Sequence, residues 1–399
     1  METFGTIRAP RQIIFGPGQR RVLPRVAAGL GTRALVVTDA RLSTDSDFLN
    51  LTEGLRQAGL AVSVDATTEP DVPAHTIEER ALAAQAFAPD LVIGIGGGSC
   101  LDMAKALALL LTHGGAVQDY YGELKVPGPV LPLIAMPTTA GTGSEVTPVA
   151  VLSDRDRALK VGISSPHLIP VVAICDPELT LSCPPGLTAI AGADALTHAL
   201  EAFTAKRRPL SDDLTQERVF IGKNALSDAL ALQAIRLIWQ GLEAAFTQGA
   251  DRTARSRMME GALMAGLAFG VAGTSAAHAI QYPVGALTHT AHGQGVACLM
   301  PWALEWNRPE ITAELGEIAA AMGLSGADEV IPALRATFTR IGIPPTLKAL
   351  GLPEDSLPEV ARLACGIERL ILNNPRSLTP PEMMRLLAAA WHGDAALMS

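Results

Sequence analysis

LVIGIGGGSCLDMAKALALLLTH, residues 91–113, decides the fold. Leu91–Gly96 is an apolar run without polar alternation, the pattern of a strand buried on both faces. Gly94, Gly96, Gly97 and Gly98 crowd its end, and from Cys100 to His113 the pattern is that of a helix. Glycines between a strand and a helix let backbone N–H groups come close to a pyrophosphate, and the helix N-terminus adds favourable partial positive charge. Ser99, three residues before Asp102, fits a side-chain pair that opens the helix. A well-capped tight turn would read the same way, so the nucleotide reading needs support from elsewhere. The glycines match a dinucleotide fingerprint loosely, because the acidic residue expected about 20 positions later is missing.

Upstream, ALVVTDA (34–40) reads as a strand, DFLNLTEGLRQAG (47–59) as a helix, AVSVDA (61–66) as a strand and EERALAAQAFA (78–88) as a helix. Downstream, PLIAM (132–136) and VVAICD (171–176) are further strands. Such alternation predicts an α/β domain with a parallel sheet covered on both faces. VTPVAVLSD and ALKVGISS, between the last two strands, read as a β-hairpin with Asp154–Arg157 at its turn. Asp39, at the end of ALVVTD, is placed to accept from the ribose hydroxyls of NAD and to repel the 2′-phosphate of NADP. The loop from Pro137 to Glu145 carries Thr138, Thr139, Thr142 and Ser144, hydroxyls suited to phosphate or nicotinamide, or to an ordinary solvated turn.

From Pro184–Pro185–Gly186 the β signal nearly vanishes. Leu187–Thr204, Asn224–Gln248, Ala254–Phe269, Ser275–Gln281, Pro309–Met322, Ala327–Ile341, Ser356–Cys365 and Pro380–Trp391 read as helices. The expected division is an α/β nucleotide-binding domain over 1–183 and an all-helical domain over 184–399. In AGADALTHALEAF (191–203), Asp194 and His198 leave the same face of one helix. His278 and His292 follow, with Pro283, Gly285 and Gly293 available to redirect the chain. One carboxylate and three imidazoles suit a divalent first-row metal such as Fe or Zn and suit Mg or Ca poorly. Asp-x-x-x-His alone is more often an ordinary pair of helix residues.

The chain has 399 residues, 48% hydrophobic and 18% charged, which fits two well-buried domains. A net charge of −9 without a basic stripe argues against nucleic acid. METFGTIRAP has neither a basic nor an apolar leader segment, and no apolar run reaches the roughly 20 residues of a membrane span. Five scattered cysteines without a CxxC pair read as reduced thiols, and the expected location is the cytoplasm.

These pieces occur in one order in the iron-containing (group III) alcohol dehydrogenases, which the sequence resembles over essentially its whole length. The matching text is FGPG (15–18), TD (38–39), GGGSCLDMAK (96–105), PTTAGTGSEVT (137–147), Lys160, DPELT (176–180), DALTHALEAF (194–203), AAHAIQYPVGALTHTAHG (276–293) and the MPW after it. The resemblance implies a dinucleotide-binding α/β domain, an all-helical metal domain and an active site in the cleft between them. It implies Asp194, His198, His278 and His292 as ligands of Fe(II), with Zn(II) as the other candidate. Gly96, Gly97, Gly98 and Ser99 would hold the pyrophosphate of NAD, Thr138, Thr139, Thr142 and Ser144 would line the nicotinamide side, and Asp39 would take the ribose. Lys160 and Leu179 would border the dinucleotide. The implied reaction is hydride transfer between a primary alcohol or aldehyde on the metal and nicotinamide. The enzymatic alternatives are reduction of an oxo-acid such as maleylacetate and transhydrogenation between hydroxy and oxo acids. A homodimer is expected, since TFGTIRAPRQIIFG (3–16) holds a short β run that would seek a partner edge.

Two departures stand out. Many members of that family carry a histidine four residues after the third ligand, where this chain has Tyr282. A proton path would then run through Tyr282, His289 or water, or Tyr282 would simply wall the pocket. His289 is expected to lie behind the ligands and not to be a fifth one. RRPLSDDLTQERVFIGKN (207–224) is longer than the family's usual short turn. It could cover the cleft or a subunit contact, with Arg207–Arg208 as a solvated pair or a site for an acidic substrate.

Overall fold

The computed structural model describes residues 3–154 and 159–398. Among them are nine strands: β1 (Gln12–Phe15), β2 (Arg33–Val37), β3 (Ala61–Asp65), β4 (Leu91–Gly96), β5 (Gly122–Glu123), β6 (Leu133–Pro137), β7 (Val149–Asp154), β8 (Leu159–Ser164) and β9 (Val172–Cys175). Six form one parallel sheet in the order β1-β9-β6-β4-β2-β3. Every residue of β4 is buried. Alternation along the strands divides them between two cores. Leu35, Val37, Val92 and Leu133 face one with Met103 and Leu107, while Val36, Leu91, Ile93 and Ile134 face the other with Phe48, Leu51 and Leu55. Burying each such side chain contributes roughly 1.5–3 kcal/mol, which is why the buried positions of β2, β4 and β6 are all apolar.

The chain runs from β2 outward to β3, then returns to lay β4 on the opposite side of β2. That reversal makes a switch point at the carboxyl ends of β2 and β4, where open α/β sheets bind ligands. Asp39 follows β2 and the glycine cluster ends β4, so topology brings them to the same edge. β7 and β8 form the expected antiparallel hairpin, and β5 adds to β8 in a second sheet. The expected turn lies, beyond Asp154, outside the described residues.

The N-terminal β run is not unpaired. β1 lies parallel to β9, with Gln12 opposite Val172 and Phe15 opposite Cys175, as the terminal strand of its own sheet. Its hydrogen-bonding demand is met on one side within the chain, so β1 does not depend on a second copy for a partner strand.

Helix α1 (Gly98–His113) belongs to the sheet unit. The helical unit contains α2 (Pro185–Thr204), α3 (Ala225–Thr247), α4 (Arg252–Ala272), α5 (Ala276–Thr288), α6 (His292–Asn307) and several shorter helices toward the C-terminus. Asn224 caps α3 and Asp251 caps α4, each accepting from two backbone N–H groups of the first turn. No single helix among the described residues is long and apolar enough to cross a membrane.

The two compact units are not contiguous in sequence. The helical unit takes the residues through Ile7, Cys183–Ser211 and everything from Phe220 on; the sheet unit takes Arg8–Ser182 and Asp212–Val219. The insertion is therefore divided. Arg8 donates to the carbonyls of Thr215, Arg218 and Val219, and Val219 N–H donates to Glu123 at 2.8 Å. Arg207 pairs with Asp228 at 2.8 Å, a carboxylate shared with Lys223.

Two helix expectations need correction. Pro283 does not end α5, which continues to Thr288. Proline forfeits one intrahelical hydrogen bond, and the fully buried Ile280 and Val284 on either side offset it. The chain turns instead at His289, whose φ of 55° is left-handed. Gly293 is inside α6 and not in a turn.

Candidate metal centre and nucleotide site

α2 is buried from Gly192 to Thr204 and carries Asp194, His198 and Glu201 in succession at spacings of four and three residues. That spacing sets all three on one helical face. The first turns of α5 and α6 bring in His278 and His292. Gly293 makes the approach of α6 possible: a Cβ there would lie 2.5 Å from the Ile190 carbonyl oxygen and 3.0 Å from Asp194 Cβ. Any side chain at 293 would push His292 away from α2.

One ligand atom each from Asp194, His278 and His292 falls within a group no more than 4.8 Å across. His198 Nε2 is 3.7 Å from Asp194 Oδ1, and His278 Nε2 is 3.8 Å from the same oxygen. These separations are too long for hydrogen bonds. They are close to the spacing of about 3.4 Å between two ligands bound tetrahedrally to one metal at 2.0–2.1 Å. Asp194 Oδ1 and His278 Nε2 are both buried and neither has a hydrogen-bond partner. Two orphaned buried polar atoms aimed at one point are costly unless a cation joins them. The residues fit a divalent metal. The rings are held by stacking: His198 lies on Phe269 with centroids 4.2 Å apart and on His278 at 4.8 Å.

Sequence reasoning passed over Glu201, although it lies in the stretch that named the first two ligands. Its carboxylate is buried and accepts from Ser275 N–H (3.0 Å), Ser275 Oγ (3.1 Å), Ala277 N–H (2.8 Å) and His278 Nδ1 (2.6 Å). Burial acts to raise its pKa, but the adjacent His278 and the backbone donors prevail and hold it below the usual carboxylate value. The available signal was its place seven residues after Asp194 in an otherwise apolar helix.

Tyr282 lies beside the group, its ring 6.0 Å from that of His292. His289 is exposed at the C-terminal end of α5 and is not among the clustered ligand atoms.

In the sheet unit, α1 begins at Gly98 with Gly97 as its N-cap and has no side-chain cap. The expected pairing of Ser99 with Asp102 is absent. Ser99 Oγ accepts from Asp71 N–H at 3.2 Å, and Asp102 accepts from Ser144 Oγ at 2.6 Å and Val151 N–H at 3.1 Å. Both side chains are drawn to neighbouring segments, leaving the helix start to its own backbone, as an anion-binding terminus requires. The threonine loop lies against this turn: Thr138 N–H donates to Gly96 O at 2.9 Å, and a Cβ on Gly98 would meet Thr142 Cγ2 at 2.5 Å. Gly97 faces Thr139. Asp39 accepts from Leu42 N–H at 2.8 Å and from the Cys100 thiol. Lys160 pairs with Asp71, which ties it to the Ser99 contact. Leu179, in the short turn Pro177–Thr180 after β9, packs on the second core.

Residues 10–177 match the family model for iron-containing alcohol dehydrogenase, and residues 188–391 match that for the C-terminal part of the Fe-containing alcohol dehydrogenase family. A long-chain-alcohol dehydrogenase from Geobacillus thermodenitrificans is 36% identical over 384 residues, covering 94% of this chain and 93% of the relative. A crystal structure of 1,3-propanediol oxidoreductase superposes with a TM-score of 0.89 at 32% identity, covering 97% of this chain and 100% of the other. A sulfoacetaldehyde reductase from Bifidobacterium kashiwanohense, solved in complex with NAD+, gives a TM-score of 0.84 at 29% identity, covering 99% of this chain and 100% of the other. With matching models over both halves and full-length relatives above 30% identity, the chain belongs to the iron-containing alcohol dehydrogenase family of oxidoreductases.

Proposed function

We propose that the protein is an NAD- and metal-dependent alcohol dehydrogenase that interconverts a primary alcohol and its aldehyde, with Asp194, His198, His278 and His292 holding Fe(II) or Zn(II). The observation that carries this reading is the pair of unpartnered buried atoms, Asp194 Oδ1 and His278 Nε2, within a cluster completed by His292. A divalent cation bound by these four residues would supply Lewis acidity toward an alcohol or carbonyl oxygen, and NAD would supply the hydride acceptor. The protein's own work is positioning. Gly96, Gly97, Gly98 and Ser99 would present backbone to the pyrophosphate, Thr138, Thr139, Thr142 and Ser144 would line the nicotinamide half, Lys160 and Leu179 would border the dinucleotide, and Asp39 would accept from the ribose. Five free cysteines fit a reducing, cytoplasmic setting, and β1, the terminal strand of its sheet with one edge open among the described residues, makes a homodimer the proposed assembly. The test is turnover of primary alcohols, diols, acid-bearing aldehydes and oxo-acids with NAD(H), with metal content measured in the same preparation. Turnover confined to oxo-acids would replace this reading with the oxo-acid reductase one.

Asp39→Gly is expected to narrow the preference for NAD over NADP. Two unit charges 4 Å apart repel by roughly 4 kcal/mol at an effective dielectric near 20. Solvent screening leaves about 1–3 kcal/mol, on the order of tenfold to a hundredfold in the ratio of kcat/KM for the two cofactors. An unchanged ratio would place Asp39 away from the ribose.

We assign Tyr282 to the wall of the substrate pocket and leave proton exit to water, with His289 at the solvent end. A protonated phenol is a poor proton acceptor. Tyr282→Phe is therefore expected to change kcat by less than about threefold, whereas loss of a general acid–base group typically costs 10²–10⁴-fold. A drop of that size with an altered pH profile and constant KM would make Tyr282 the relay.

A further inference from the structure

We propose that Glu201 is the positioning residue of the metal centre: one buried carboxylate fixes the tautomer of His278 and clamps the start of α5 to α2. This inference rests on the reading of the cluster as a metal site. Its basis is the full occupancy of the Glu201 oxygens. Oε1 takes Ala277 N–H and Ser275 Oγ, and Oε2 takes Ser275 N–H and His278 Nδ1. Four donors around one carboxylate hold it ionised, and an ionised carboxylate only accepts, so the Nδ1 that shares Oε2 must carry its proton. The Nε2 lone pair of His278 is then free and directed to Asp194 Oδ1, 3.8 Å away. A histidine holding its proton on Nε2 would present hydrogen where a ligand atom is needed.

The same contacts replace a missing cap. Ser275 precedes α5 without a side-chain cap of its own, and Glu201 reaches across from α2 to satisfy the N–H groups of Ser275 and Ala277. Because α2 carries Asp194 and His198 while α5 carries His278, this one carboxylate sets the spacing between ligands from two helices.

Glu201→Gln and Ser275→Ala together test the assignment. An amide has one acceptor for four donors. With its NH2 group at the Oε2 position it forces the His278 proton onto Nε2; turned the other way it opposes Ala277 N–H. The variant is expected to bind Zn(II) about 10- to 100-fold more weakly in competition with a chromophoric chelator. Ser275→Ala removes only the hydroxyl donor to Oε1 and keeps the Ser275 N–H, Ala277 N–H and Nδ1 bonds, so ligand spacing and tautomer persist: it should lower Tm and leave Zn(II) affinity unchanged. In metal-free wild-type protein labelled with 15N-histidine, the His278 resonances should show the Nδ1–H tautomer. An Nε2–H tautomer overturns the proposal whether or not Glu201→Gln folds. So does Zn(II) affinity unchanged in Glu201→Gln, or lost equally in Ser275→Ala. Failure of the wild-type protein to take up one equivalent of Zn(II) would instead overturn the metal reading, while the tautomer measurement would still judge Glu201.

Discussion

His278→Ala or His292→Ala is expected to reduce turnover by about 10³-fold or more, with NAD binding unchanged. Each substitution withdraws an imidazole from a cluster in which Asp194 and His278 are already buried. Lewis-acid stabilisation is worth several kcal/mol, and each 1.36 kcal/mol of barrier is tenfold in rate. NAD affinity should hold because the glycine turn, the threonine loop and Asp39 all belong to the sheet unit, whereas both histidines belong to the helical unit. The check pairs steady-state rates and metal content with a direct NAD titration of each variant. Near wild-type turnover by a metal-stripped His278→Ala protein would end the metal mechanism.

Lys105→Met should destabilise the protein by about 3–5 kcal/mol, the usual consequence of taking one partner from a buried charge network. Lys105 has no solvent exposure, and its Nζ donates to Thr147 O at 2.9 Å, Thr147 Oγ1 at 3.3 Å and Val149 O at 2.8 Å. All three ammonium donors are thus engaged. Burial pushes its pKa down to about 8, opposed by Asp102 and Glu145; burial in turn raises the pKa of Asp102 and brings that of Glu145 to about 7. Methionine keeps the stem and removes the charge, leaving two buried carboxylates and two carbonyls to rearrange. Because Asp102 also holds Ser144, the threonine loop should loosen, and KM for NAD should rise more than kcat falls. Urea denaturation and cofactor kinetics test both parts. A stability loss below about 1 kcal/mol, the worth of a single ordinary hydrogen bond, would mean the network relaxes without its cation.

The parallel sheet was legible because strands buried on both faces have no polar positions to blur the pattern. Leu91–Gly96 reads the same in sequence and structure, and Arg33–Val37, Leu133–Pro137 and Val172–Cys175 differ from expectation only at their ends. α6 was hidden because Gly293, Gly295 and Pro301 look like helix breakers. In the fold Gly293 serves close packing against Ile190 and Asp194, which local pattern does not express. Glu201 was missed for a related reason. Glutamate in a helix ordinarily marks a solvent face, and only the arrival of Ser275, Ala277 and His278 from another helix gives it a buried task. Ser99 and Asp102 show the reverse error, in which a sound local rule lost to tertiary partners at Asp71, Ser144 and Val151.

The division of the insertion bears on how the chain is completed as it is made. When residue 182 leaves the ribosome, the sheet unit still lacks Asp212–Val219, so Arg8 has none of its three carbonyl acceptors and Glu123 lacks the Val219 N–H. The first residues wait as well: Phe4 O and Thr6 N–H find Ala225 and Asn224 only after more than two hundred further residues have been added. A gene cut at residue 183 would therefore encode two fragments, each missing a piece that the other carries.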